Sequence, residues 1–343
     1  MTAAGRKKKT RVAIVGAGDQ ANYVHYPSLA MMSDVEIAAV CDIDPDRLKT
    51  TADKYGIEKR YGADRNPLAY RKMVEDIAPE AIYVIGHPNM MYDIWTWCLR
   101  QKLNLFIEKP MGITIHEARS LAHLAETNGC ITQVGFQRRT CPMVVKLRDE
   151  CLKRGPIVHA GCYFYKRNIA PYLEARDHMM DDGVHAIDAL RWMCGGNVVN
   201  IQSLVKRVQV SDINWIGAML EFDNGAVGFL INSWTSGRRI FKVEMHAPAI
   251  CVEAEHEGKG VLYADGDTKG VVYDTKEVAG SDKIWVYGGF QPKHREFIDC
   301  VRLARHSLGD GGAKKQPGSN FSDAVKTMEA AEIILAQGLL DGR

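Results

Sequence analysis

The chain lacks any run of about 18 uncharged apolar residues, so no segment is expected to span a bilayer. The apolar stretch that follows the basic run Arg6-Lys7-Lys8-Lys9 ends before Asp19 and Asn22, too soon for the core of a secretion signal. There is no C-x-x-C pair among the nine cysteines. An odd, dispersed set excludes a disulfide scaffold or zinc finger and predicts free buried thiols in a reducing cytoplasm. Charge of one sign is also missing: 44 basic residues against 42 acidic leave +2. A general nucleic-acid binder carries a much larger basic excess. Hydrophobic residues at 46% and charged residues at 25% exclude a mainly disordered chain.

The 343 residues are enough for about two domains. Residues 1–10 read as a solvated basic tail. In the first third, strand and helix signals alternate. Arg11 to Val15, Val35 to Cys41, Ala81 to Ile85 and Leu103 to Ile107 are short apolar runs, and Asp44-Pro45-Asp46 is a helix start. This predicts βαβ units around a parallel sheet over 11–135. Beyond about residue 135 the runs Val158 to Tyr165, Val199 to Val210, Gly217 to Phe222, Ala226 to Trp234, Phe241 to Met245 and Gly270 to Tyr273 read as strands. Asp223-Asn224-Gly225 is a hairpin signal between two of them. The expectation for 136–343 is a second α/β domain with a large, mostly antiparallel sheet, closed by a helix from about Ser322. The overall class is α/β.

Three segments carry chemistry. Gly16-Ala17-Gly18-Asp19-Gln20-Ala21 stands between the first strand and a helix and has the G-x-G-x-x-A spacing of a dinucleotide loop. One glycine makes the turn, and the next lets the backbone approach a pyrophosphate on the helix N-terminus. The second strand ends in Cys41-Asp42, at the distance where that fingerprint carries an acidic residue for the adenosine ribose. Ile43 follows rather than arginine, so NAD is expected over NADP. The second segment, Glu108-Lys109-Pro110, ends a predicted strand. A lysine there can donate to a substrate oxygen and stabilise alkoxide charge. Third, Asp181 and His185 stand four apart at a helix start, with Asp188 three further on. Helical spacing puts them on or near one face, where a carboxylate could orient an imidazole base and raise its pKa, while burial acts in the opposite sense. A third ligand at metal spacing is missing, so no metal is expected.

Together these segments resemble the glucose–fructose oxidoreductase/inositol dehydrogenase (Gfo/Idh/MocA) family. Arg11 to Ala21 is similar to its opening strand and loop, and Cys41-Asp42-Ile43-Asp44-Pro45 to its C/A-D-x-D-P segment. Gly86-His87-Pro88-Asn89 resembles its T-P-N turn and Glu108-Lys109-Pro110 its E-K-P signature. Asp181-Asp182-Gly183-Val184-His185 resembles its D-x-G-x-H helix. Phe222-Asp223-Asn224-Gly225-Ala226 with Ser233-Trp234 resembles its F-x-N-G-A…S-W hairpin. The resemblance implies an N-terminal Rossmann domain that holds NAD through Gly16, Ala17, Gly18, Asp19, Gln20, Asp42, His87, Pro88, Asn89, Glu108 and Lys109. It implies a C-terminal domain whose open sheet joins subunits, as a homodimer or homotetramer. Lys109, Asp181 and His185 are then the catalytic group, and the substrate is a sugar, cyclitol or glycoside. Arg138, Arg139, Tyr163, Tyr165 and Asp182 are candidate pocket residues, with Arg176, His178 and Tyr172 behind them. His87 in place of threonine, Tyr92 where a histidine often follows, and Arg176 to Met180 in place of a glycine pair depart from the family pattern. Two other readings use the same residues: redox-assisted elimination or epimerisation with tightly bound NAD, and a non-catalytic dinucleotide-dependent regulator.

Overall fold

The computed structural model describes residues 8–170, 177–306 and 314–341. They form two compact units, the first made of residues 8–108, 119–135, 290–306 and 314–322, the second of 109–118, 136–170, 177–289 and 323–341.

The first unit is built on six parallel strands: β1 (Thr10–Val15), β2 (Val35–Cys41), β3 (Arg60–Tyr61), β4 (Ala81–Val84), β5 (Leu105–Ile107) and β6 (Thr132–Val134). Their order is β3-β2-β1-β4-β5-β6. All four residues of β4 are buried, as expected for a strand covered on both faces. The succession of strands across the sheet reverses between β1 and β4, and ligands of such sheets bind beyond the carboxyl ends of the strands at that point. The helix Pro45–Tyr55 forms where the sequence signals it. Asp44 accepts from the N–H groups of Asp46 and Arg47 at 3.0 and 3.1 Å, and Gly56 ends the helix in the left-handed region.

The division between units is not a single cut near residue 135. The helix Phe290–His306 lays Phe297, Ile298, Cys300 and Val301 into the first unit's core beside Val12, Ile14, Tyr83 and Phe106. An amphipathic pattern states that a helix has an apolar face, not which sheet that face will cover.

The second unit is an eight-stranded sheet: β7 (His159–Arg167), β8 (Val198–Lys206), β9 (Trp215–Phe222), β10 (Val227–Ser233), β11 (Thr235–Ala247), β12 (Ile250–Glu255), β13 (Lys259–Ala264) and β14 (Val271–Asp274). The order is β14-β13-β12-β11-β7-β10-β9-β8, antiparallel except where β7 meets β10. The hairpin Asp223 to Gly225 joins β9 and β10, with Gly225 at φ 84°. Strands β12 and β13 escaped the sequence reading, because glutamates at 253 and 255 and glycines at 258 and 260 break up their apolar runs.

One face of this sheet is covered. A Cβ on Gly228 would meet Leu190 of the helix Val184–Cys194 at 2.9 Å, so Gly228, Leu230 and Asn232 face that helix. Register pairs Leu230 with Cys162 and Asn232 with Phe164, and puts them on the same face. Tyr163 pairs with Ile231 and points the other way. All nine cysteines are free thiols, eight of them buried. Among the described residues no helix is long and apolar enough to cross a membrane.

Candidate active site

In the first unit the predicted dinucleotide segment is a built turn. Gly16 has φ 107°, and a Cβ there would lie 2.0 Å from the Ile85 carbonyl oxygen, so only glycine fits. A Cβ on Gly18 would meet nothing nearer than Arg47 Nη1 at 3.9 Å, which leaves the loop's surface open at that point. The helix that begins at Asp19 turns its first N–H groups toward the loop and continues through a single π turn, Ala21–His25. The Asp42 carboxylate accepts from Ala17 N at 2.6 Å and Asp44 N at 2.8 Å. Its position at the end of β2 is therefore fixed, while each oxygen keeps a second lone pair for a hydroxyl. Exposed His87, Pro88 and exposed Asn89 begin the helix Pro88–Arg100 just past β4. These residues fit a dinucleotide: a cradle only glycine can make, a helix start, and a fixed carboxylate at the end of β2.

Glu108 ends β5 and is 8% exposed. Its Oε1 lies 3.0 Å from His25 Nε2, and His25 Nδ1 lies 3.0 Å from His294 Nε2, with both rings fully buried. A Cβ on Gly135 would strike Glu108 Oε1 at 2.5 Å, which accounts for glycine there. No sequence signal pointed to His25 or His294, because they stand on elements far apart in the chain.

In the second unit Lys109 Nζ donates to Asp181 O at 2.6 Å and approaches Asp181 Oδ1 at 3.1 Å. Asp181 and Asp182 lie in another single π turn, Met179–Gly183, which leads into the helix that carries His185. This differs from the regular helix expected, and the wider turn shifts Asp181 out of the register that 3.6 residues per turn would give it. Asp181 is accordingly paired with Lys109. His185 is 6% exposed, stands edge-on to Phe136, and its Nδ1 is buried without a hydrogen-bond partner. Burial pushes its pKa well below the usual value, and the cations Lys109, Arg138, Lys166 and Arg239 push it further. Of the two opposed effects expected on this imidazole, a carboxylate raising its pKa and burial lowering it, burial prevails.

Asp182 is held by Lys166 Nζ and by Trp234 Nε1, the latter at 3.4 Å, both on Oδ2. Burial would raise its pKa, but the ammonium groups of Lys109 and Lys166 outweigh that and hold it below the usual carboxyl value. Trp234 stacks on His178 with centroids 4.6 Å apart. Lys166 was missed in the sequence. The available signal was parity: it shares the covered face with Cys162 and Phe164, where a charged residue is out of pattern.

The other candidate pocket residues have partners of their own. Arg139 forms a buried two-point pair with Asp188, at 2.6 Å from Nε to Oδ2, and meets Asp323 at 2.7 Å. Arg191 also bonds to Asp323 and Thr327, so this network ties the helix Val184–Cys194 to the helix Phe321–Asp341. Arg138 is 5% exposed, lies over Phe241, and places Nη1 2.6 Å from His256 Nδ1. Arginine can only donate, so His256 accepts there and is neutral. Tyr163 donates to Glu244 at 2.8 Å and, with Tyr165, lies on the sheet face away from Asp182 and His185. Tyr172 and Arg176 lie outside the described residues. Among the described residues no group of three or more His, Cys, Asp or Glu side chains is placed to hold a metal ion.

The model of the oxidoreductase family with an NAD-binding Rossmann fold (GFO_IDH_MocA) matches residues 10–136, and that of the GFO/IDH/MocA C-terminal domain matches 159–248. The rhizopine catabolism protein MocA of Rhizobium meliloti is 30% identical over 335 residues, 94% of this chain and 93% of that one. The chain belongs to the Gfo/Idh/MocA oxidoreductase family. Myo-inositol 2-dehydrogenase of Thermotoga maritima is 25% identical over 334 residues, 94% of this chain and 95% of that one. The crystal structure of a dehydrogenase from Chromobacterium violaceum has the same fold, with a TM-score of 0.81 at 20% identity, covering 97% of this chain and 98% of that one.

Proposed function

We propose that this family member is an NAD-dependent dehydrogenase that interconverts a secondary alcohol and a ketone on a sugar, cyclitol or glycoside. The observation that carries the reading is the Lys109 ammonium held by Asp181 in the same unit as a neutral, buried His185. The first unit holds the dinucleotide, and the second supplies the groups that handle the alcohol. A bound NAD, held by the glycine loop and Asp42, would supply the hydride acceptor for the carbinol hydrogen.

The chain's own residues do the rest. Lys109 donates to the carbinol oxygen and stabilises alkoxide charge, oriented by its two bonds to Asp181. His185 is unprotonated at neutral pH and takes the hydroxyl proton; the surrounding cations that depress its pKa also favour the alkoxide. The fixed carboxylate of Asp42 favours NAD over NADP, because it receives ribose hydroxyls and repels a 2′-phosphate. The face of the eight-stranded sheet that carries Tyr163, Ile231 and exposed Phe229 is the surface through which we expect two or four subunits to join. Similarity to the myo-inositol 2-dehydrogenase supports a polyol substrate.

The deciding experiment follows NAD reduction across a panel of cyclitols, aldoses and methyl glycosides. Turnover of at least one secondary alcohol is expected. A purified protein that binds NADH but oxidises none of them would overturn the reading.

A further inference from the structure

Inside the first unit lie three titratable side chains that the reaction as described does not use: His25, Glu108 and His294. We propose that His25 and His294 are positioning residues, which seat the Glu108 carboxylate at the end of β5 and so set the direction in which Lys109, the next residue, leaves the strand. The inference deepens the dehydrogenase reading and rests on it.

Three segments far apart in the chain meet at His25. It closes the π turn Ala21–His25, so the helix start that follows the glycine loop carries it inward. Its Nε2 stands 3.0 Å from Oε1 of Glu108, and its Nδ1 stands 3.0 Å from Nε2 of His294 on the helix Phe290–His306. Phe106 and Phe290 stand edge-on to His25, with centroids at 5.7 and 6.3 Å. His294 lies against Phe106 and Tyr83 at 4.8 and 5.2 Å. Both imidazoles are thus held by rings as well as by each other. On the far side of the carboxylate, glycine at 135 leaves the space that Oε1 fills, since a Cβ there would lie 2.5 Å from it.

The row of groups has a direction. Burial, then the neighbouring His25 and Lys293, hold the pKa of His294 well below the usual histidine value, so this ring carries one proton. Its Nδ1 is buried without a hydrogen-bond partner. An unpaired buried N–H is rarer than an unpaired acceptor, which places the proton on Nε2, where it is donated to His25 Nδ1. His25 then carries its own proton on Nε2, the nitrogen that faces Glu108.

Stability alone does not ask for such a row. The surrounding core is built of Val12, Ile14, Tyr83, Phe106 and Phe297, and apolar side chains of equal volume would fill the place with nothing to desolvate. Apolar side chains could not tie the helix start beside the glycine loop to the carboxylate that precedes Lys109. Lys109 meets Asp181 at 2.6 and 3.1 Å and has to meet the carbinol oxygen, so an error at the strand end passes to the reacting atoms.

The test exploits the two ends of an imidazole. A glutamine amide nitrogen takes the place of Nε2 and an asparagine amide nitrogen that of Nδ1. His25→Gln therefore keeps a donor for Glu108, whereas His25→Asn keeps only the contact with His294. The alcohol is myo-inositol, or whichever member of the cyclitol, aldose and methyl glycoside panel is oxidised fastest. Single turnovers are followed by stopped flow, with rates taken per NADH-titrated site. His25→Asn should slow NADH formation about 10- to 100-fold and His25→Gln should recover most of it, with NADH affinity within about threefold of the unmodified protein. His294→Leu suits its aromatic surroundings and should slow the step about 10-fold, and His294→Gln, which keeps the Nε2 donor, should restore it. If His25→Asn does not fold, the His294 pair decides. Equal rates for His25→Asn and His25→Gln, or a His294→Leu protein as fast as the unmodified one, overturn the proposal. So does a loss confined to NADH affinity, which would make the row part of the cofactor site alone. A second readout needs no cofactor: NMR of protein labelled with nitrogen-15 histidine should show the Nε2–H tautomer at His25, and the Nδ1–H tautomer there overturns the proposal as well. An unmodified protein that binds NADH and oxidises no secondary alcohol removes the dehydrogenase reading instead, a failure distinct from the others.

Discussion

The two units offer ligands different kinds of group. The first unit's glycine loop works through its backbone: a φ of 107° at Gly16, a helix start at Asp19, and one short side chain, Asp42, tied to that backbone. The second unit's cluster works through long side chains from separate segments: Lys109, Lys166 on β7, Asp181 and Asp182 on a π turn, His185 on a helix, and Trp234 after β10. Backbone cradles depend on local conformation, whereas side-chain clusters depend on which strands and helices meet. A single-residue change should therefore impair binding in the first region and turnover in the second.

The sharpest test of that contrast is His185. His185→Ala should slow alcohol oxidation by roughly 10²–10⁴ while NADH affinity holds, the usual worth of a general base. The pKa of His185 lies well below its usual 6.5, so the acidic limb of the rate profile should lie below about pH 6.5. A His185→Asn protein that keeps both activity and the limb moves the base to Lys109. Lys109→Ala should follow with a loss on the order of 10²–10³ in kcat, again with NADH binding retained by fluorescence titration. Lost NADH binding in this variant would place Lys109 with the backbone region instead.

In the first unit the expected change is in cofactor choice. Ile43 is 55% exposed, so an arginine there has room. Asp42→Ala with Ile43→Arg should shift the NAD-to-NADP ratio of kcat/KM toward NADP by about 10- to 100-fold, the scale of one charged hydrogen bond. Equal use of both cofactors by the unmodified protein would reduce Asp42 to a strut for the glycine turn.

The smallest effect is shared by both units. Burial pushes His185, His256 and His294 well below the ordinary histidine range. The unfolded chain then binds more protons than the folded one between those lowered values and about 6.5, so stability falls as pH drops through that window. Tm should decline by a few degrees between about pH 7 and about pH 5 and level off above. A flat Tm across that range would mean that these rings stay protonated when buried.

Several features were legible before any fold was known. The parallel-sheet half, the glycine loop with Asp42, the helix start at Asp44-Pro45 and the hairpin at Asp223 to Gly225 are signalled by residues within a few positions of each other. So was the closing helix, which runs Phe321–Asp341 against an expectation from about Ser322. Tyr163 and Tyr165 show the limit. Their strand is legible, but alternation alone does not say which of its faces a helix covers, and here Lys166 takes the covered face.

By itself the sequence determined whatever is local. Only glycine fits Gly16, and proline with a capping aspartate starts a helix wherever the chain goes. The tertiary structure decided everything that depends on meeting. It brought Asp181 to Lys109 rather than to His185, paired Asp188 with Arg139, gave Lys166 to Asp182, and joined His25 to Glu108 and His294. The reason is physical. Those contacts close loops of up to hundreds of residues, and they are fixed by packing and by the need to pair buried charge, neither of which is written in residue spacing.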